Sequence, residues 1–296
     1  MAPLRHGRPH HRGAPCRPRH HVLRHDDQAV APLSAPRCWA SMGRIAASSS
    51  GARTLVIDIE TGPNLAWVWG LWDQNVSLSQ IESVSHVMCF AAKWVGETKI
   101  HFHSEHHDSH AEMVEAAWAM LDEADAVVGY NSRGFDVKHL HREFVLAGMP
   151  PPSPHKDIDL LSVARSRFKF VSNKLDHVAA ELGVGSKLKH QGFDLWRKCI
   201  DGDESAWRTM RRYNMQDVRL TEQLYERLLP WISKHPHPGL YGGDAHGCPN
   251  CGGKVEPNGT MSTGTQQYPR LRCVDCGANA RGARAIPGSS TSTRSA

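Results

Sequence analysis

The stretch LVIDIETGP, residues 55–63, alternates apolar and acidic positions in a way that predicts a β-strand with one unusual face. Side chains alternate between the two faces of a strand, so Asp58 and Glu60 share one face while the apolar residues around them share the other. Burying two unpaired carboxylates side by side is unfavourable and raises pKa values strongly. A cation between the two acids would remove this penalty. The alternative is a solvated edge strand whose outer face is acidic.

Similar patterns predict the rest of an α/β domain over residues 51–235. Strand patterns occur in HVMCFAAKWVG, KIHFHS, DAVVGYN and HKDIDLL, and helical spacing occurs in AEMVEAAWAMLDEA, FDVKHLHREFVLAG, KLDHVAAELGVG and residues 204–229. Gly148 and Gly183 are expected to end two of these helices. Three strands followed by helix, strand and helix are typical of a mixed sheet flanked by helices.

The two ends of the chain lack this periodicity. Residues 1–50 are rich in Arg, His and Pro, and residues 281–296 are mostly small and polar, so we predict that both segments are disordered. The first segment is either an Arg-rich transit peptide or, as we favour, an extension upstream of a true start at Met42. No apolar run reaches the ~18 to 20 residues of a membrane span, which predicts a cytoplasmic protein without a membrane segment.

Charge is distributed unevenly along the chain, although it sums to only +5. Residues 1–50 carry eight Arg against two acidic residues, and residues 245–296 carry six Lys and Arg against two. The residues between them therefore hold 21 basic and 26 acidic side chains. An acidic middle argues against a general nucleic-acid-binding protein and suits an enzyme that gathers carboxylates around metal ions.

Four of the eight cysteines form a metal-binding pattern. Cys248 and Cys251 in CPNCGG, and Cys273 and Cys276 in CVDCGA, make two Cys-x-x-Cys pairs, each followed by a glycine that permits a tight turn. Four thiolates in tetrahedral geometry suit one Zn²⁺, and the arrangement resembles a zinc ribbon over residues 245–280. Such a ribbon would staple a small domain, grip nucleic acid or dock on a replication protein.

Three further positions stand where regular elements would aim them at a common cleft. Asp136 in YNSRGFD follows a buried strand and opens a helix. Tyr213 and Asp217 in YNMQD are four residues apart on a predicted helix, and therefore lie on the same face one turn apart. Asp217 would carry negative charge toward the cleft, with the Tyr213 hydroxyl beside it.

Taken together, DIETGP, YNSRGFD and YNMQD resemble the motifs of the DEDDy-type 3′–5′ exonucleases. This family has four acidic residues and a tyrosine, and it includes proofreading domains of DNA polymerases. The resemblance spans residues 53–229 with the motifs in the family's order, and the spacing from Asn131 to Asp136 is similar to that in family B polymerases. It implies a ribonuclease H-like fold and similarity to stand-alone exonucleases of phages and bacteria.

The resemblance also implies hydrolysis of phosphodiesters with two metal ions. Asp58, Glu60, Asp136 and Asp217 would hold two Mg²⁺ or Mn²⁺ ions, hard cations that prefer oxygen ligands. Asp58 would bridge both ions, Glu60 and Asp217 would complete the site of the attacking water, and Asp136 would hold the second ion directly or through water. Tyr213 would orient the attacking water. The residues expected to contact the terminal nucleotide are Thr61, Asn131 and Phe135.

Neighbouring groups leave alternatives open. The five histidines of residues 101–110 either form a second metal site or lie in a solvated polar loop. The basic residues from Lys187 to Arg212 either neutralise phosphates of an incoming strand or form an ordinary solvated helix face. Asp157 and Asp159 make another acidic pair, but the family pattern does not require them, and we expect structural roles.

These inferences predict a metal-dependent 3′–5′ exonuclease that releases nucleoside monophosphates from single-stranded or frayed DNA ends in replication proofreading or repair. Its expected partners are nucleic acid and a DNA polymerase or other replication protein. An exonuclease that trims RNA is the alternative with the same chemistry. A nucleic-acid-binding adaptor with an inactive core, acting through the zinc ribbon, is the alternative from another class. The complete set of acids with Tyr213 argues against the adaptor.

Overall fold

A computed structural model describes residues 51–188 and 192–293, which belong to one structural unit. The predicted disorder of residues 1–50 and the predicted start at Met42 lie outside the described residues. The strands are β1 (Thr54–Thr61), β2 (Leu65–Ala66), β3 (Ile81–Ser83), β4 (Val87–Trp94), β5 (His101–Ser104), β6 (Ala126–Gly129), β7 (Lys156–Asp159), β8 (Val255–Ser262), β9 (Gln267–Cys273) and β10 (Asn279–Arg281). The helices are α1 (His110–Glu123), α2 (Asp136–Leu146), α3 (Leu160–Arg167), α4 (Leu175–Glu181), α5 (Phe193–Ile200) and α6 (Glu204–Leu228). Of these described helices, none combines the length and the apolar character that crossing a membrane requires.

A five-stranded mixed sheet in the order β5-β4-β1-β6-β7 forms the centre of the fold. β1 pairs antiparallel with β4 on one side and parallel with β6 on the other. This architecture confirms the mixed α/β sheet predicted from the order of strands and helices. Because both edges of β1 are paired, the edge-strand explanation for Asp58 and Glu60 is wrong.

The two faces of this sheet pack against different helices. Leu55 and Ile57 of β1 are buried together with side chains of α1 and α2. Val56 is instead buried with side chains of α4 and α6. Alternation along β1 therefore places Asp58 and Glu60 on the face that α6 covers.

The hydrophobic patterns predict most elements of the α/β domain, including all of its long strands and helices. Predicted segments match β1, β4–β7, α1, α2, α4 and α6. Gly148 and Gly183 follow their helices with φ values of 71° and 67°, in the left-handed conformation that glycine adopts without strain. The patterns do not identify β2 and β3, whose two and three residues are too few to establish a period, and they also miss α3 and α5.

Residues 65–84 form an exposed segment between β1 and β4, which we call the tryptophan arm. Within it β2 pairs with β3, the Trp67 N–H donates to the Gln80 carbonyl (2.9 Å), and the Gln80 side-chain amide donates to the Trp67 carbonyl (2.8 Å). The side chains of Trp67, Trp69 and Trp72 are 72%, 98% and 83% exposed. Because indole rings are usually well buried, three exposed ones make the aromatic surface of this segment unusual.

The C-terminal part of the unit is a three-stranded antiparallel sheet in the order β10-β9-β8. The side-chain amide of Asn250 donates to the carbonyls of Leu229 (2.6 Å) and Ile232 (3.0 Å). These two bonds satisfy backbone carbonyls just after α6 and join the cysteine-containing part to the core.

The segment after β10 also has backbone partners. Ile286 N–H donates to the Gln267 carbonyl (2.8 Å), and Thr291 N–H donates to the Thr265 carbonyl (2.9 Å). These bonds give residues 282–291 a defined path, although the composition of residues 281–296 predicts a disordered tail.

Candidate active site

β1 is the central strand of the sheet, and Asp58 and Glu60 lie toward its carboxyl end. The register of β1 with β4 shifts between Glu60 and Thr61, a bulge that ends regular pairing beside the acids. Beyond the bulge, the Gly62 N–H donates to the His86 carbonyl (2.9 Å) and rejoins the two chain segments. The backbone under both acids is therefore firmly held, while their side chains stay partly exposed.

α6 brings the third acid and the tyrosine to the same face of the sheet. The helix begins after Asp203, whose side chain accepts hydrogen bonds from the N–H groups of Ser205 (2.7 Å) and Ala206 (2.9 Å). Its buried side chains recur every three or four residues over its 25 residues. Tyr213 and Asp217 lie on this buried face and are 7% and 1% exposed, in agreement with their four-residue spacing.

Asp58, Glu60 and Asp217 converge on one point. One carboxylate oxygen of each lies within 4.8 Å of the others. Burial and the neighbouring carboxylates raise the pKa of Asp58 well above its ordinary value, and burial together with Asp217 raises the pKa of Glu60 to about 8. Three acids this close cannot all be ionised without a compensating cation. Their oxygen atoms are the ligands that Mg²⁺ and Mn²⁺ prefer, so these residues fit the ions that the motif resemblance implies.

Asp136 lies next to this cluster rather than within it. It is the first residue of α2, is 4% exposed, and accepts a hydrogen bond from the Ile59 N–H at Oδ1 (3.1 Å). Burial raises the pKa of Asp136 to about 6 despite that hydrogen bond. Its charge in turn raises the pKa of Asp58. The structure thus couples the fourth acid to the cluster electrostatically, without bringing its oxygens among the three that converge.

Lys187 places an ammonium group in the cluster. Its Nζ donates to Oδ2 of Asp217 (2.5 Å) and to the hydroxyl of Tyr213 (3.1 Å). The residue belongs to the irregular segment between α4 and α5, where its backbone N–H donates to Oδ1 of Asp176 (2.8 Å). Burial opposes the charge, but the Asp217 carboxylate outweighs burial and raises the pKa of Lys187 above its ordinary value. One ammonium group compensates for only part of the negative charge of four acids.

Other basic residues of this stretch lie on a helix surface. Arg197 and Lys198 both pair with Asp194 along α5, at 2.8 Å and 2.7 Å. These exposed pairs agree with the solvated-face alternative. Lys187 instead donates to Asp217 within the acid cluster, so it does not belong to that solvated face.

Asn214 is a site residue that the sequence analysis missed. It is fully buried, and its Nδ2 donates to the Asp58 carboxylate (2.7 Å) and to the Asp58 backbone carbonyl (3.1 Å). These bonds orient the Asp58 side chain and tie α6 directly to β1. The signal in the sequence was an amide on the apolar face of a predicted helix, one position after Tyr213.

The three residues expected at the terminal nucleotide lie near the ends of β1 and β6. Thr61 is the last residue of β1 and is partly exposed. Asn131 follows β6 with φ 72°, which asparagine tolerates, and its N–H donates to Oδ1 of Asp159 (3.0 Å). Phe135 is 37% exposed and packs its ring against His139. Because β1 and β6 are parallel, their carboxyl ends lie at the same edge of the sheet as Asp58 and Glu60.

The second acidic pair is occupied by structural contacts. Oδ1 of Asp159 accepts hydrogen bonds from the N–H groups of Leu161 (2.9 Å) and Ser162 (3.4 Å), which caps α3. Asp157 lies 3.6 Å from His155. Neither acid belongs to the converging cluster, in agreement with the expectation for them.

Four cysteines form a second candidate metal centre. The Sγ atoms of Cys248 and Cys276 are 3.7 Å apart, those of Cys251 and Cys273 are 3.5 Å apart, and all four lie within 4.8 Å of one another. Sulfur atoms bound tetrahedrally to zinc at ~2.3 Å are about 3.8 Å apart, so the spacing fits. The glycine after each pair has a left-handed φ, 78° and 76°. Hydrogen bonds from neighbouring thiols lower the pKa of Cys248. The Cys248 thiolate in turn raises the pKa of Cys276. A bound cation is therefore required before the other thiols can also lose their protons.

Comparison with known proteins places the chain in a superfamily. Residues 78–229, just over half of the chain, match the family model described as the RNase_H superfamily. The chain belongs to the RNase H superfamily. In this RNase H superfamily protein the matched range includes α6 with Asp217, whereas β1 with Asp58 and Glu60 precedes it.

One similar solved structure is the family B DNA polymerase from the hyperthermophilic archaeon Pyrobaculum calidifontis. It is 22% identical, has a TM-score of 0.46, and the likeness covers 60% of this chain and 25% of the polymerase chain. The likeness thus spans only a quarter of the polymerase. No curated protein matches the sequence.

Proposed function

We propose that this RNase H superfamily protein is a metal-dependent 3′–5′ exonuclease that hydrolyses phosphodiester bonds. The observation that carries the proposal is the convergence of Asp58, Glu60 and Asp217 beside Tyr213, from β1 and α6. Membership of the superfamily supports a nuclease, and the acids with the tyrosine support the DEDDy type. The 3′–5′ direction rests on the resemblance of DIETGP, YNSRGFD and YNMQD to that family.

The converging carboxylates would hold the metal ions. Asp58, Glu60 and Asp217 supply the oxygen ligands, and Asp136 adds negative charge from the start of α2. When bound, two divalent ions stabilise charge on the attacking and leaving oxygens of a phosphodiester and lower the pKa of water. Burial and the repulsion from Asp217 together raise the pKa of Glu60, and both favour a bound dication over a neutral ligand.

Lys187 and Tyr213 would act on the substrate. The ammonium of Lys187 sits on a flexible four-carbon stem, so it can leave Asp217 when a cation engages that carboxylate and donate to a phosphate oxygen instead. The Tyr213 hydroxyl, released by Lys187, would then donate to water beside Asp217. Burial and Asp217 raise the pKa of Tyr213 above its ordinary value, so the hydroxyl stays neutral and positions water rather than acting as a base.

The proposed substrate is the 3′ end of a single strand or frayed duplex, with nucleoside monophosphates as products. The preference for DNA over RNA rests only on the resemblance of the motifs to those of polymerase proofreading domains. The tryptophan arm begins two residues after DIETGP and contains no Lys or Arg, so it offers aromatic faces rather than positive charge. Bases of any sequence stack on exposed aromatic rings, and the arm would hold unpaired bases of the entering strand in this way.

The four cysteines would hold one Zn²⁺ in a ribbon over residues 245–280, beside an exonuclease domain over residues 51–235. A closed set of four thiolates leaves no position for water, so this ion would be structural. The bonds from Asn250 to carbonyls just after α6 favour the stapling role for the ribbon. The motif resemblance makes a DNA polymerase or other replication protein the proposed partner.

Cleavage of a 5′-labelled single-stranded DNA, and of its RNA counterpart, tests the proposal in Mg²⁺ and in Mn²⁺. The expected result is a descending ladder on DNA that Asp58→Asn and Asp217→Asn abolish. Asp157→Asn is the matched control, because Asp157 is also a strand acid but lies outside the cluster. A ladder on RNA alone would reassign the substrate. If both substrates bind but stay uncut, the enzyme hypothesis would be rejected in favour of the nucleic-acid-binding adaptor.

A further inference from the structure

A second group of metal-ligating side chains lies where the loop after β5 meets the start of α6. His106 and His107 belong to the loop, and Glu204 is the first residue of the helix. One ligand atom of each lies within 4.8 Å of the others. Nε2 of His106 is 3.2 Å from Oε1 of Glu204. Two ligands bound tetrahedrally at ~2.1 Å are about 3.4 Å apart, so this pair already has the separation of metal ligands.

Both imidazole rings are held in place by buried neighbours. The His106 ring stacks on Trp207 with 5.2 Å between centroids and 10° between planes. Trp207 is 1% exposed, and its indole N–H donates to the Cys199 carbonyl (2.9 Å). The Oγ of fully buried Ser104 lies 2.7 Å from Nδ1 of His107. A hydrogen bond at the second ring nitrogen, such as the contact of His107 with Ser104, orients the ring of a metal-binding histidine.

The neighbouring histidines are engaged elsewhere. Nδ1 of His103 lies 3.2 Å from Oδ2 of Asp108, and Nε2 of His110 lies 3.3 Å from Oε2 of Glu143. His103 and His110 therefore have separate acidic partners, whereas the pair in the loop after β5 converges on a shared carboxylate.

We propose that His106, His107 and Glu204 form a site for a first-row transition-metal dication, with Zn²⁺ as the favoured ion. Two imidazoles and a carboxylate suit Zn²⁺ and leave a fourth position to water, whereas Mg²⁺ prefers oxygen ligands throughout. The site is distinct from the acid cluster, because Tyr213 lies nine residues further along α6, about 14 Å at 1.5 Å per residue. It does not depend on the proposed exonuclease.

An ion there would tie the loop after β5 to the first turn of α6. The side chain of Glu204 is 63% exposed, and its other oxygen lies 3.8 Å from Arg208, an exposed contact of little strength. The Glu204 carboxylate can therefore turn toward the two imidazoles without losing a strong partner. The expected consequence is a more stable helix start when the metal is bound.

Calorimetric titration with Zn²⁺ tests this site on the full chain, with zinc kept in the cysteine centre and Mg²⁺ saturating. Wild-type protein should bind one more equivalent of Zn²⁺ than the His107→Gln/Glu204→Gln variant. The matched control is His177→Gln/Glu181→Gln, which removes another exposed His–Glu pair (2.9 Å) that has no third ligand among the residues that the structure describes. The histidines of residues 1–50 are present in every protein compared, so their binding cancels. Thermal melting without added Zn²⁺ confirms that each variant folds.

The single variant Glu204→Gln keeps the size of the side chain, and it should weaken the additional site at least the ~10-fold that loss of an outer partner alone produces. An anomalous diffraction peak among the three side chains in Zn²⁺-soaked crystals would support the assignment independently. Equal stoichiometry in wild type and double variant would overturn it. Loss of the same equivalent in the His177/Glu181 control would overturn it too, because binding would then follow any exposed His–Glu pair.

Discussion

Magnesium binding by the acid cluster should be strongly pH-dependent, because protons and metal ions compete for the same oxygens. In the absence of metal, burial and Asp217 raise the pKa of Glu60 from 4.5 to about 8, and burial raises the pKa of Asp136 from 3.8 to about 6. Only ionised carboxylates bind the metal, so bound protons must leave first. Lys187 adds no pH dependence below about pH 9, because its pKa is raised above its ordinary value and it stays charged.

The magnitude follows from the raised pKa of Glu60. A group with a pKa of about 8 weakens apparent metal binding about 100-fold at pH ~6 and about 10-fold at pH ~7, but hardly at pH ~9. The half-saturating Mg²⁺ concentration should therefore fall about 100-fold between pH ~6 and pH ~9. The raised pKa of Asp58 acts in the same direction, so this is a lower bound.

Without Mg²⁺, the stability of the fold should decrease as pH rises, whereas Mg²⁺ binding should become tighter. The folded protein holds the Glu60 proton more tightly than the unfolded chain does, so the free energy of unfolding should fall as pH rises from 4.5 to about 8. The slope is about 1.4 kcal/mol per pH unit for each proton involved. Saturating Mg²⁺ should flatten this decline.

Calorimetric Mg²⁺ titrations across this pH range, on protein dialysed without chelator so that the cysteine centre keeps its zinc, measure the effect. Glu60→Gln is the control: it should bind Mg²⁺ more weakly, but with a shallower pH dependence. A half-saturating concentration that changes less than about threefold from pH ~6 to pH ~9 would refute the reasoning.

Four other substitutions test separate parts of the structure. Lys187→Gln should slow cleavage while binding Mg²⁺ at least as tightly as wild type, since the ammonium no longer occupies Asp217; weaker Mg²⁺ binding would contradict this role. Asn214→Ala should destabilise the protein to urea by about 1.5 to 3 kcal/mol, because a buried hydrogen bond to a carboxylate is lost; an unchanged urea midpoint would argue against that bond. Cys276→Ser should release zinc to a colorimetric chelator and lower the melting temperature, whereas full zinc retention would exclude it as a ligand. Trp69→Ala should change stability by less than about 0.5 kcal/mol, since the side chain is 98% exposed, yet weaken binding of single-stranded DNA to an inactive variant by about 1 to 3 kcal/mol; unchanged affinity would remove the arm from the binding surface.

The sequence predicts well which strand and helix hold the clustered acids, because each acid lies on an element with a clear hydrophobic periodicity. Alternation in LVIDIE places Asp58 and Glu60 on one face, and helical spacing places Tyr213 and Asp217 together. The central position of β1, with neighbours on both sides, explains why that polar face is covered rather than solvated.

Other parts of the site come from features without a period. Lys187 belongs to an irregular segment, so nothing in the local pattern indicates that its ammonium reaches Asp217. Asn214 is visible as a polar interruption of an apolar face, but its partner, Asp58, is 156 residues away. The convergence of His106 and His107 with Glu204 likewise depends on how the loop after β5 meets α6.

The most direct test of the central claim compares two labels on one single-stranded DNA cut by the wild-type protein in Mg²⁺. A 3′–5′ exonuclease should release the 3′-terminal label at once as a nucleoside monophosphate, while the 5′-labelled strand shortens stepwise. Release of the 3′ label on fragments longer than one nucleotide, or release of the 5′ label first, would contradict the account. Such a result would assign the cluster of Asp58, Glu60 and Asp217 to a different cleavage reaction.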